Sequence, residues 1–242
     1  MSALEPGRPE SRYLAVIPAR GGSKRIAGKN LALLGGKPLL LYSIEAALGS
    51  KRVGRVLVST DDQDIARAAM AGGAEVPDMR PTELAGDESP MLGVIRHAIT
   101  MAEPRSAWVE AVVLLQPTSP FRTAAHVDAA IARYEVGSAN TLVSVRAATE
   151  HPYYAWRTDN DRLIPFFSMQ QMEVVRQDLP PALVETGAIY ILNRKDLDAG
   201  RFYGDRISAF EMDERASLDI DTPQDLEFAR FLLAGPSGKA GS

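Results

Sequence analysis

The chain has 242 residues, 45% of them hydrophobic, and a formal charge of −4 at pH 7. That length and composition bury a full core in one domain, and the mildly acidic balance argues against a nucleic-acid partner. With no cysteine there is no disulfide framework or thiolate metal site, and no run reaches the roughly 18 apolar residues of a membrane span.

No signal peptide opens the sequence, so a cytoplasmic protein without membrane attachment is expected. Residues 1–12, rich in Pro, Glu, Arg and Ser, read as a flexible N-terminus, and 235–242 as a flexible tail. The folded domain is expected over 13–234, with no further domain after its last helix. Its first strand holds Val16 and Ile17 and ends at Pro18, which has no N–H for a ladder. A loop follows that carries Gly21, Gly22 and Gly28 together with Arg20, Lys24, Arg25 and Lys29. Glycines allow a sharp turn or a close backbone approach, and loop N–H groups beside fixed cations form a phosphate cradle. So many charges suit several phosphates, as in a nucleoside triphosphate. The spacing matches neither G-x-x-x-x-G-K-[ST] nor G-x-G-x-x-G.

Apolar spacing then predicts a helix over 38–48, a strand over 55–59 and a helix over 61–70 closed by Gly72 and Gly73. A helix over 91–101, a strand over 111–115, a helix over 124–134 and a strand over 140–145 follow. This alternation predicts an α/β fold with a mainly parallel sheet and helices on both faces. Between 150 and 181 the pattern breaks into an aromatic- and proline-rich stretch, long for a loop, which reads as an arm on a second subunit, a lid, or both. Strands over 188–192 and 206–210 and a helix over 223–233 complete the chain.

Two further segments carry chemistry. Leu115-Gln-Pro-Thr-Ser-Pro-Phe-Arg122 follows a buried strand, and ligands of open α/β sheets bind beyond the carboxyl ends of the strands. Gln116, Thr118 and Ser119 are therefore placed toward the glycine loop, although the segment also reads as a turn capped by Thr123. In Ser217-Leu-Asp-Ile-Asp-Thr222, Asp219 and Asp221 stand two apart in an extended segment and project to one side. Paired carboxylates call for a cation between them, and Mg²⁺ takes one or two carboxylates plus phosphate oxygens and water. Asp221 reads equally as the N-cap of the last helix. The histidines at 97, 126 and 151 have no metal-ligand spacing.

These pieces, in order from Leu14 to Leu233, resemble the CMP-sugar synthetases that activate sialic acid and related nonulosonic acids. The similarity is carried by Ile17-Pro-Ala-Arg-Gly-Gly-Ser-Lys24 with Lys29-Asn30, Ser59-Thr-Asp61, Arg80-Pro, Glu83-Leu-Ala, Asp87 and Leu115 to Arg122. Arg176-Gln-Asp-Leu-Pro180, Gly187-Ala-Ile-Tyr-Ile191 and Asp219-Ile-Asp221 complete it. The resemblance implies a Rossmann-like nucleotidyltransferase fold with a dimerisation arm over 150–181, a homodimer, and Mg²⁺ as cofactor. It implies that CTP and an acidic nine-carbon sugar give CMP-sugar and pyrophosphate. Catalysis would fall to Arg20, Lys29, Asp219 and Asp221, with the two aspartates on the metal. The nucleotide would lie against Ala19, Arg20, Gly21, Gly22, Ser23, Lys24, Lys29, Asn30, Arg80, Asp87 and Ser89. Gln116, Thr118, Ser119, Arg176 and Tyr190 would meet the sugar, with Arg176 pairing with its carboxylate on its own or the neighbouring subunit's site.

Two departures bear on the sugar. Thr186 stands where sialic acid synthetases tend to have Asn, and His151-Pro-Tyr-Tyr-Ala-Trp156 lacks their lysine. A less polar pocket of this kind favours a legionaminic-type deoxy diacylamino sugar over sialic acid, and the Gly-Ala-Ile-Tyr segment speaks against the pseudaminic branch. The alternatives are a synthetase for the eight-carbon lipopolysaccharide sugar, use of another nucleotide, or a silent nucleotide-binding regulator.

Overall fold

The computed structural model describes residues 11–86, 88–102 and 109–235. The expectations for residues 1–10, Asp87 and 236–242 lie outside them. In chain order the elements are β1 (Tyr13–Pro18), β2 (Leu33–Leu34), β3 (Lys37–Pro38), α1 (Leu39–Gly49), β4 (Val53–Ser59), α2 (Gln63–Ala71), α3 (Met91–Ala102), β5 (Ala111–Leu114) and α4 (Ala124–Val136). They continue with β6 (Thr141–Ala147), β7 (Trp156–Asp159), β8 (Arg162–Pro165), α5 (Met169–Met172), β9 (Leu183–Asn193), α6 (Arg194–Asp198), β10 (Ile207–Glu211) and α7 (Pro223–Ala234).

Six of the strands form one sheet in the order β10-β6-β9-β5-β1-β4. The pairs β1–β4, β1–β5 and β6–β10 are parallel, whereas β9 runs antiparallel between β5 and β6. The alternation of side chains along each strand divides the core between the two faces of this sheet. Ala15, Ile17, Val56, Val58, Val113 and Ile191 face α1, α2 and α4, through Ile44, Ile65 and Ile131. Leu14, Val16, Leu57, Val112, Leu114 and Leu192 face α3 and α6, through Ile95, Ile99 and Leu197. Burying each large aliphatic side chain contributes about 1.5–3 kcal/mol relative to exposure.

A third cluster positions the site. Leu34 and Leu39 pack with Ile220 and with Leu226 and Ala229 of α7, so the last helix is held against the β2–β3 hairpin that follows the glycine loop. The segment carrying Asp219 and Asp221 is thereby delivered to a loop 191 to 196 residues away in sequence.

Several boundaries moved. Pro38 closes β3 and precedes α1 rather than opening the helix, and β9 starts at Leu183, five residues before the predicted strand. The stretch from 150 to 181 has structure of its own: a β7–β8 hairpin, the short helix α5 capped by Ser168, and a 3-10 turn at Arg176–Asp178. It presents Trp156, Leu163, Phe166, Phe167, Met169 and Val175 to solvent. Tyr153 packs on Phe167, and His151 caps the turn at Pro152–Tyr154 and bonds the Pro180 carbonyl. His126 likewise serves a cap, closing the box with Thr123 at the start of α4. No helix of the described residues is long and apolar enough to cross a membrane.

Candidate active site

The glycine loop leaves the sheet under tight control. The N–H of buried Ala19 donates to the Ser59 carbonyl at 2.9 Å, extending the β1–β4 register one residue past Pro18. The N–H of Gly21 donates to Asp61 Oδ1 at 3.0 Å. A Cβ on Gly21 would lie 2.7 Å from Asp62 Oδ2. Asp62 is itself held as the N-cap of α2 by the N–H groups of Asp64 and Ile65. Gly22 has nothing near its missing side chain. At the far end Gly28 takes φ +58° and the chain turns into Lys29–Leu31, where Asn30 is almost fully buried and donates Nδ2 to the Arg20 carbonyl at 2.8 Å. Asn30 thus braces the loop with the amide group that was expected to read the nucleotide.

Arg20, Ser23, Lys29 and Asn30 form one wall of a cavity of about 160 Å³, and Arg80, Gln116 and Thr118 the other. An adjoining cavity of about 390 Å³ shares Arg20, Ser23 and Lys29 and adds Lys24, Arg25 and Asp221. The sheet's carboxyl edge therefore brings together most of the residues expected to hold a triphosphate. Arg80 donates Nε to the Ser59 hydroxyl at 3.0 Å and Nη2 to the Ser59 carbonyl. Burial lowers its pKa, with Asp61 opposing that shift. A larger cavity of about 850 Å³ lies at the opposite end of the sheet, lined by Tyr13, Tyr134 and the ion pairs Arg12–Glu110 and Arg52–Glu135. None of the candidate residues lines it.

The acidic pair is anchored by the residue between its members. Ile220 is fully buried, its N–H donates to the Thr118 carbonyl at 2.8 Å, and its carbonyl accepts from Lys29 Nζ at 3.2 Å. Lys29 Nζ also lies 2.9 Å from Asp221 Oδ1, and Arg25 3.3 Å from Asp221 Oδ2. The alternative role for Asp221 is corrected here: Thr222 caps α7, in a capping box with Asp225, and leaves the Asp221 carboxylate to the crevice. Asp219 is solvent-accessible, yet the surrounding protein desolvates its carboxyl enough to raise its pKa. The nearby Thr118 hydroxyl pulls it down and Asp221 pushes it up. The Thr118 hydroxyl is buried and forms no well-aligned hydrogen bond among the described residues.

A divalent cation fits this donor set. Two carboxylates from one segment, one of them desolvated and repelled by the other, suit an ion that completes its shell with phosphate oxygens and water. Among the described residues no cluster of three or more His, Asp or Glu side chains could hold a metal unaided.

Other expected residues fall elsewhere. Ser119 is fully buried and its hydroxyl has no hydrogen-bond partner among the described residues, so it lies beneath the crevice wall rather than on it. Tyr190 alternates into the face packed by α3, donates its hydroxyl to Glu185 at 3.0 Å, and lines neither cavity. Burial and Glu185 raise its pKa strongly. Ser119 and Tyr190 therefore line neither of the two cavities in this chain. Arg176 is exposed on the arm and lines neither cavity. Ser89 donates to the Glu83 carbonyl at 3.1 Å, outside both cavities. Thr186 pairs with the Ser144 hydroxyl at 2.7 Å inside the sheet, so its departure from the sialic acid pattern does not reach the crevice. Reasoning from sequence gave no role to Asp61, Ile220 or Arg122, although all three stand inside quoted motifs.

Comparison with known proteins agrees with this geometry. A family model described as cytidylyltransferase matches residues 14–235. The chain is 35% identical over 224 residues to the N-acylneuraminate cytidylyltransferase of Escherichia coli O18:K1:H7, covering 90% of this chain and 51% of that protein. It therefore spans about half the length of that relative. It is 36% identical to the CMP-N,N'-diacetyllegionaminic acid synthase of Legionella pneumophila, covering 92% and 96%. With the pseudaminic acid cytidylyltransferase of Campylobacter jejuni it shares 34% identity, covering 91% and 96%. Among solved structures, a CMP:2-keto-3-deoxy-manno-octonic acid synthetase complexed with CTP matches with a TM-score of 0.67 at 23% identity, covering 93% and 99%, a likeness of fold alone.

Proposed function

The chain belongs to the cytidylyltransferase family, and from that premise we propose that it converts CTP and an acidic nine-carbon nonulosonic acid to the CMP-sugar and pyrophosphate. The observation that carries this reading is the shared crevice. Arg20, Ser23 and Lys29 line both of its cavities, with Asp221 at one end and Gln116 and Thr118 at the other. Cations for a triphosphate and neutral polar groups for a sugar thus meet along one path.

In the reaction the sugar's anomeric oxygen attacks the α-phosphorus, the bond to the pyrophosphate oxygen breaks, and the hydroxyl proton leaves to solvent or a nearby base. Negative charge concentrates on the α-phosphoryl oxygens and the departing pyrophosphate. Arg20, Lys24 and Lys29 stabilise that charge, and their loop is held by Asn30 and Asp61 before the nucleotide arrives, so little reorganisation is needed at the moment of reaction. Mg²⁺, held by Asp219 and Asp221, would neutralise phosphoryl oxygens when bound. Arg80, buried and fixed to Ser59, presents its remaining donor edge to the nucleotide base or ribose. Gln116 and Thr118 orient the sugar. Arg176 meets the sugar carboxylate from the arm, whose exposed apolar residues pack on a second copy in a homodimer; because Arg176 lines neither cavity of its own chain, the neighbouring subunit's site is the natural recipient.

Identities of 34–36% to relatives named for three different sugars do not separate the branches. The legionaminic preference rests on the aromatic His151 to Trp156 stretch alone, now that Thr186 is placed inside the sheet. The test is pyrophosphate release with CTP and Mg²⁺ across sialic, legionaminic and pseudaminic acids and the eight-carbon sugar, with UTP and GTP as nucleotide controls. Release with one nine-carbon acid and CTP supports the reading. Turnover with the eight-carbon sugar alone, or silence despite CTP binding, defeats it.

A further inference from the structure

Arg122 is completely buried and has no carboxylate partner among the described residues. Its guanidinium instead donates to three acceptors, one in the turn after β5, one on β9 and one on α1. Nη1 reaches the Gln116 carbonyl at 3.1 Å and the Ala188 carbonyl of β9 at 2.9 Å, and Nη2 bonds the Ser43 hydroxyl of α1. Ser43 in turn donates to the same Gln116 carbonyl at 3.1 Å. Burial pushes the Arg122 pKa down to about 9, the mark of a charge held without a counter-ion.

A core that needed only stability would not place a cation here, because a buried charge without a partner is costly and an apolar side chain of similar volume commonly serves better. The planar fork does something an apolar residue cannot: it fixes three backbone and hydroxyl oxygens relative to one another. One of them, the Gln116 carbonyl, belongs to a residue of the crevice wall. Beside Ala188, Gly187 takes φ +73°, and a Cβ there would lie 3.4 Å from Gln116 Oε1, so the side-chain amide of Gln116 rests against the glycine. Ser144 fills the accompanying break in the β6–β9 register by accepting from the Ile189 N–H at 2.8 Å.

We propose that Arg122 is a positioning residue that locks the Gln116 turn against the Gly187–Ala188 bulge and thereby sets the sugar-facing amide of Gln116. This rests on the reading that Gln116 faces the sugar and the glycine loop faces CTP. Arg122 touches neither substrate. Its effect is confined to the sugar side, because none of its three partners belongs to the glycine loop.

The test measures KM for sugar and for CTP in Arg122→Lys and Arg122→Met, with thermal unfolding to confirm folded protein. Lysine keeps the charge but loses the planar fork; it is expected to raise the sugar KM about fivefold or more and to leave the CTP KM within about twofold, with methionine worse than lysine. In a Gln116→Ala background Arg122→Lys should add little, since coupled residues are non-additive. If methionine prevents folding, Ser43→Ala carries the same test through the shared carbonyl. Equal rises in both KM values, or full additivity with Gln116→Ala, overturn the proposal. A parent protein that turns over no acidic sugar with CTP overturns the functional reading beneath it instead.

Discussion

Lys29 Nζ lies 2.9 Å from Asp221 Oδ1, so the cation expected on the triphosphate and the carboxylate expected on the metal hold one another. The pair is half open to solvent on the Asp221 side, which keeps its own contribution to stability small, about 1 kcal/mol or less. Its value is positional: it holds the Lys29 ammonium and the Asp221 carboxylate together on the lining of one cavity. Asp221→Asn is expected to retain the fold and CTP binding in the absence of metal while cutting kcat by about 100-fold or more, in line with loss of one preorganised charge at a transition state. Steady-state pyrophosphate release against Mg²⁺ concentration checks this. Near-parental turnover would remove Asp221 from the metal.

The two adjacent glycines separate cleanly. A Cβ on Gly21 collides with the Asp62 carboxylate at 2.7 Å, and Asp62 cannot yield without losing the cap of α2, which is worth about 1 kcal/mol. Gly21→Ala should lower the melting temperature and weaken CTP binding about tenfold, whereas Gly22→Ala should leave the melting temperature of the ligand-free protein unchanged. Differential scanning fluorimetry of both variants decides the matter, and equal losses would mean that the loop sits differently against α2.

Asp219 makes a prediction about pH. Its carboxyl is raised above the ordinary value of 3.8, first by desolvation. A carboxyl whose folded value exceeds its unfolded value binds protons more readily in the fold, so stability falls as pH rises from the unfolded value through the folded one. At neutral pH without metal, Asp219→Asn should therefore melt at or above the parent temperature while losing nearly all activity, and the difference should vanish below the ordinary carboxylate value. Mg²⁺ with CTP should stabilise the parent more than the variant. A variant that melts well below the parent at pH 7 would contradict this.

Arg176→Ala should raise the sugar KM about tenfold or more and leave the CTP KM near its parental value, because the arm reaches neither cavity of its own chain. If the residue serves the neighbouring subunit, mixing Arg176→Ala with Asp221→Asn protein should restore activity in a fraction of hybrid dimers. A selective CTP defect would show that the arginine meets the phosphates instead.

Much of this was legible in the sequence because local chemistry dictated it. The run Leu14 to Ile17, the cap at Thr123, and the acidic pair flanking Ile220 each follow from nearest neighbours in the chain. What escaped depends on strand order and facing. Alternation told that Tyr190 and Ile191 face opposite ways, but not which face opens to the crevice; only the antiparallel insertion of β9 decides that. Arg122 looked like the end of a motif, since its role comes from Ser43 and Ala188, 79 and 66 residues away. Thr222 rather than Asp221 took the cap because Asp225 closed a box with it, a contest between adjacent residues that composition cannot settle.

The antiparallel β9 also governs how the molecule comes together. Among the described residues it alone joins the β4-β1-β5 half of the sheet to the β6-β10 half, and it is made after both β5 and β6. Until residue 183 has been synthesised, the growing chain carries two open strand edges, at β5 and at β6, that will end as the middle of the sheet. Exposed edges of that kind recruit other chains, and closing the one at β5 needs contacts between residues about 80 apart in sequence, a slow kind of event. The same strand that sets the Gln116 wall is therefore the keystone of assembly, and a chain interrupted before it would be prone to aggregate rather than to wait.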